Sequence, residues 1–76
     1  MTMFKKELKR EIDILESEIK ELEIKRSRSE ASLLEALISR REPEADEVKF
    51  FRTYNAEIDV KREKLLILQR KFNSIK

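Results

Sequence analysis

Apolar residues in the first half of the chain fall at Leu8, Ile12, Leu15, Ile19 and Leu22, at successive spacings of four, three, four and three. Such spacing lays one stripe along an α-helix that packs on another helix. The register runs on through Arg26, Ser29, Leu33 and Ala36, so the stripe turns polar at mid-length before it recovers. The second half repeats the habit at Phe51, Tyr54, Ile58, Lys61, Leu65, Leu68, Phe72 and Ile75. With Ile12 and Phe51 taken as equivalent core positions, the second stripe is displaced by four residues from a continuation of the first. One unbroken heptad is therefore disfavoured, although a stuttered, Pro-kinked single helix is the competing arrangement.

The displacement brackets Pro43, the only proline. Its ring removes an amide donor and pushes Glu42 out of helical geometry, so a helix should stop at about residue 41. Pro43 then suits the first position of a new helix, where Glu44, Asp46 and Glu47 meet the positive end of the dipole. Arg40 and Arg41 complement the preceding C-terminus in the same way, but no Gly supplies a left-handed cap. The pattern predicts a single all-α domain. Its form is an antiparallel two-helix coiled-coil hairpin, with helices over about 3–41 and 44–75 and a turn around Pro43. With the turn centred there, facing residue numbers sum to 87. Ile12 then meets Ile75, Leu15 meets Phe72, Ile19 meets Leu68, Leu22 meets Leu65, Leu33 meets Tyr54 and Ala36 meets Phe51. Charge supports the reversal. A parallel pairing of two first helices would set Glu11 against Glu16 and Glu18 against Glu23, whereas the hairpin sets Glu18 near Lys71 and Glu23 near Arg62, with Lys25 facing Lys64.

Nine large apolar residues lie outside the stripe: Ile14, Ile24, Leu34, Leu37, Ile38, Phe50, Val60, Leu66 and Ile67. Two helices cannot bury them all, and a hairpin this small has too little interior to offset its chain entropy alone. The expectation is a second interface, through which the hairpin dimerises into a four-helix bundle or pairs with a partner helix, using Leu34, Leu37, Ile38, Phe50, Val60 and Ile67. Around the turn, Leu34, Leu37, Ile38, Phe50, Phe51 and Tyr54 are expected to form a local plug of core, with a groove for a client helix as the other reading.

Composition narrows the chemistry. The 76 residues are 45% charged with a net charge of only +2, and they include no Gly, no Cys and no His. Zinc sites, histidine-based triads and glycine-rich phosphate loops all lack their essential residues, so no catalytic residue, metal or cofactor is assigned. The amino-terminal residues have no apolar core of a signal peptide, and no run approaches a membrane span, which makes a cytoplasmic protein the expectation. At mid-length, Arg26 opposite Lys61 and Ser29 opposite Ile58 form a polar layer that Glu30 and Glu57 could pair with. At the same level Lys25, Arg26, Arg28, Lys61, Arg62 and Lys64 make a basic girdle, and Lys25, Arg28, Lys61 and Lys64 are the candidates for contact with an anion or nucleic acid. Glu23, Glu30, Glu57, Asp59 and Glu63 stand among them, as on an ordinary solvated face.

In its size, its reversal and the spacing Val48, Phe50, Phe51, Ile58, Leu65 of the second helix, the chain resembles the small helical-hairpin co-chaperones of type III secretion needle subunits. That resemblance implies a chaperone-like hairpin that shelters a partner helix. The residues themselves point to a non-catalytic protein-protein interaction module, a small assembly factor, adaptor or chaperone. A nucleic-acid-binding or regulatory bundle using the basic girdle is the alternative.

Overall fold

The computed structural model describes the backbone of residues 2–75 and the side chains of residues 4–75. Two helices, α1 (Thr2–Ile38) and α2 (Ala45–Ser74), pack antiparallel along one another. The molecule measures 58 × 16 × 14 Å. A continuous helix of this length would reach roughly 110 Å at about 1.5 Å per residue, so the rod's length is that of α1 alone. The all-α hairpin is the fold, and the single kinked helix is excluded.

The reversal is built differently from expectation. α1 stops at Ile38, short of residue 41, because Arg40 enters the left-handed region at φ 54°. The N–H of Arg40 then donates to the Leu37 carbonyl at 3.1 Å and that of Arg41 to the Ala36 carbonyl at 2.9 Å. These two bonds make a Schellman ending, which normally uses Gly at the left-handed residue. An arginine there carries a strain of about 1 to 2 kcal/mol from its Cβ. Pro43 does not open the second helix either. It sits two residues ahead of Ala45, and Glu44 is the N-cap, its N–H donating to Glu47 Oε2 at 3.2 Å in a capping-box arrangement. Glu47 also lies 3.8 Å from Arg41, tying the loop's two sides together.

The shorter α1 moves the facing register. Leu8, Ile12 and Leu15 share a core cluster with Leu68, against which Leu65, Phe72 and Ile75 pack. Ile19 and Leu22 share a second cluster with Ile58, flanked by Tyr54 and Leu65. Ile12 with Leu68, Leu15 with Leu65 and Leu22 with Ile58 all sum to 80, one heptad below the expected 87. Ile58 does not face Ser29 but is the most deeply buried large side chain, with none of its surface exposed. Leu68 leaves Ile19 for the open end. Glu18 pairs with Lys61 at 3.5 Å rather than with Lys71, while Glu23 does meet Arg62, at 2.8 Å. The cause is geometric. A stripe that repeats every seven residues fits itself equally well after a slip of seven, so the turn decides, and ending α1 early selects the lower register.

At the open end, Lys5 Nζ lies 4.8 Å from the centre of the Phe72 ring, a cation–π contact over the last apolar layer. Nearby, Lys9 donates to Asp13 at 2.9 Å. That hydrogen bond, then the charge of Asp13, raises the Lys9 pKa above its ordinary value. Its contribution is present at neutral pH and fades as pH climbs through the raised value, so it is constant near neutrality.

Two substitutions test this construction. Arg40→Gly relieves the left-handed strain and should raise unfolding stability by about 0.5 to 1 kcal/mol in urea melts, despite loosening the unfolded chain. A loss of stability would show that residue 40 is not left-handed in solution. Ile58→Ala, at the centre of the second cluster, should cost roughly 2 to 5 kcal/mol, far more than Phe50→Ala at an exposed position.

Candidate functional surface

All nine apolar residues outside the stripe are exposed on the hairpin, and Phe4 joins them. Leu37 and Ile38 are 72% and 81% exposed, and Leu34 and Phe50 are each more than half exposed. The turn end is therefore not plugged. Phe51 and Tyr54 are half-buried, while Phe50 stacks on Tyr54 with ring centres 6.4 Å apart from the solvent side. The expected tip core fails because α1 ends a turn early, leaving Leu37 and Ile38 at its last turn with no opposing helix residue to cover them.

Helical position divides most of the exposed residues between two faces. On α1, Ile24, Ser27, Ala31, Leu34 and Ile38 follow spacings of three, four, three and four, and every one is exposed. They form a second seam on the back of α1, roughly 150° round from the stripe that meets α2. The seam contains no charge over about 21 Å of helix, at 1.5 Å per residue. On α2, Phe50, Val60 and Ile67 project to one flank. Val60 borders an open groove with Ala56, Glu57 and Lys61. A neighbouring groove between the helices is lined by Glu11, Ile14, Glu18, Lys64 and Leu68, which places Ile14 on this same flank. The six residues expected to bind a partner thus divide, with Leu34, Leu37 and Ile38 on α1 and Phe50, Val60 and Ile67 on α2. The seam was missed in the sequence because Ser27 and Ala31 were not counted as apolar positions; their spacing is the signal that finds it.

The basic girdle does not assemble as expected. In the observed register, Lys61, Arg62 and Lys64 stand about one heptad away from the level of Lys25, Arg26 and Arg28. Arg26 does not face Lys61; its guanidinium donates to Asn55 Oδ1 at 3.2 Å and lies 4.0 Å from Glu23. Lys61 and Arg62 are bound to Glu18 and Glu23, and Lys64 lines a groove with Glu11 and Glu18. Lys25 and Arg28 are exposed on α1. The carboxylates that pair with these cations are Glu18 with Lys61 and Glu23 with Arg26, not Glu30 or Glu57, and Asn55 adds a neutral hydrogen-bond acceptor for Arg26. Among the described residues no group of three or more Asp or Glu could hold a metal ion, and no helix is long and apolar enough to cross a membrane. The recesses are open grooves on the rod.

No protein-family model, curated protein or solved structure matches this chain.

The Arg26–Asn55 layer should reinforce the register that the turn selects, since the slipped register would put Arg26 against Lys61. Arg26→Leu should raise stability by roughly 1 kcal/mol, because an apolar residue replaces a half-buried cation. It should also let a second register appear as doubled or broadened amide resonances. A single sharp set of resonances would mean that the turn alone holds the register.

Proposed function

We propose that this protein is a non-catalytic interaction module, a small cytoplasmic assembly factor, adaptor or chaperone that binds other helices through its uncovered apolar surface. The observation that carries this reading is the surface itself. The folded hairpin exposes 6302 Å², against roughly 4,900 Å² for a compact 9.2 kDa protein. Ten large apolar side chains lie within that surface, and Ile24, Leu34 and Ile38 among them share one line at helical spacing. Exposed apolar lines at that spacing fit the face of another amphipathic helix. Burying half of those side chains would contribute on the order of 10 kcal/mol before association costs. An enzyme is disfavoured by the open grooves and the lack of histidine and cysteine, and nucleic-acid recognition by the pairing of Lys61 and Arg62 with glutamates.

The test is affinity capture from the native cell with the full chain, repeated with Leu37→Glu, Ile67→Glu and the reversal Lys25→Glu/Arg28→Glu/Lys64→Glu. A protein partner retained at 0.5 M salt, lost with either apolar substitution and kept by the charge reversal is the expected result. Capture that depends on the lysines and disappears at moderate salt would replace this reading with phosphate binding.

A further inference from the structure

The exposed seam of α1 has a property of its own: it is complementary to itself. We infer that it pairs with the same seam of a second copy, α1 against α1 antiparallel, in the register where facing residue numbers sum to 65. This deepens the interaction-module reading and rests on it, by naming one surface and its occupant.

In that register Leu34 sits over the partner's Ala31 and Ile38 over the partner's Ser27, each contact made twice by the two-fold axis. Large meets small in the four layers between Ser27 and Ile38, which is how an apolar seam interdigitates without voids, while Ile24 lies beyond the overlap, opposite the partner's Arg41. Charge then selects among alternatives. Along one edge Arg28 faces the partner's Glu35, again twice, and along the other Glu30 faces the partner's Leu37. The register one heptad lower brings Arg28 against the partner's Arg28 and Glu30 against the partner's Glu30. A parallel pairing stacks Glu30 on the partner's Glu35. Only the arrangement summing to 65 satisfies both packing and charge. Because the seam lies nearly opposite α2, the four helices form a row, α2–α1–α1–α2, rather than a bundle with one shared centre.

The overlap is short. It covers on the order of 800 Å² in total, below the usual size of stable specific interfaces, so the dimer is expected to be weak and concentration-dependent. Such a dimer shelters the seam and gives way to a tighter partner helix by mass action. Its shape is diagnostic. With the turns overlapping and the open ends pointing apart, it should be about 90 Å long at 1.5 Å per residue, whereas a side-by-side dimer would keep the 58 Å of one hairpin.

The experiment is sedimentation equilibrium and small-angle scattering of the purified full chain from about 1 to 300 µM, a range in which weak self-association is seen. The wild type should form a dimer with a maximum dimension near 90 Å. Leu34→Glu should weaken it at least a hundredfold, since two carboxylates would be buried, and Val60→Glu on α2 should leave it unchanged. Arg28→Glu and Glu35→Arg should each weaken it about tenfold, and the double swap should restore it. Residues 28 and 35 lie two turns apart within one helix, so restoration reads a contact between chains. Circular dichroism of each variant confirms that the hairpin is intact. A dimer about 60 Å long that resists Leu34→Glu would overturn this seam while leaving the interaction-module reading standing. A monomer throughout would overturn self-pairing, and capture of a heterologous partner remains the separate measure of the broader reading.

Discussion

The main-chain reversal at Ser39–Arg41 sets what every other residue can touch. Two heptad stripes can be zipped together in several registers that differ by seven residues, and the apolar layers in each are similar in quality. Selection falls to the loop. By taking the left-handed conformation, Arg40 closes two hydrogen bonds onto Ala36 and Leu37 and ends α1 at Ile38. From that point Ile58 is drawn between Ile19 and Leu22, Leu68 is drawn to Leu15, and Arg26 finds Asn55 rather than a lysine. A conformational strain of one or two kcal/mol at a single residue is small beside the burial it directs.

The same early stop creates the exposed surface. Had α1 continued to residue 41, Leu37 and Ile38 would have lain deeper along the paired region. Instead they stand at its edge, and the back of α1 carries an uncharged line from Ile24 to Ile38 into the tip. Interior and exterior are therefore linked through the loop, since the residue that fixes the inner register also decides how much apolar surface the tip presents.

Much of the fold was legible in the letters. Leu8, Ile12, Leu15, Ile19 and Leu22 are all buried, as their spacing requires, and the nine residues off the stripe are all exposed. Pro43 correctly marked a reversal. The register was not legible, because periodicity is blind to a slip of one period and no glycine announced the left-handed residue. The polar layer was misplaced for the same reason: Arg26 and Lys61 seemed to oppose each other only in the slipped alignment. Within the candidate surface, the membership was readable but its division between α1 and α2 was not. That division depends on Ser27 and Ala31, whose small side chains carry little hydrophobic signal yet decide how closely another helix can approach.

Because the helices run antiparallel, residues 2 and 75 lie at one end of the rod and the loop at the other. A tensile load applied at those two points would not shear the layers together. It would peel them singly, beginning with Phe72 beneath Lys5 and meeting the Arg26–Asn55 level only after both clusters have parted. The hairpin is thus mechanically soft from its open end, and stiffness in that direction must be supplied by whatever lies along its sides.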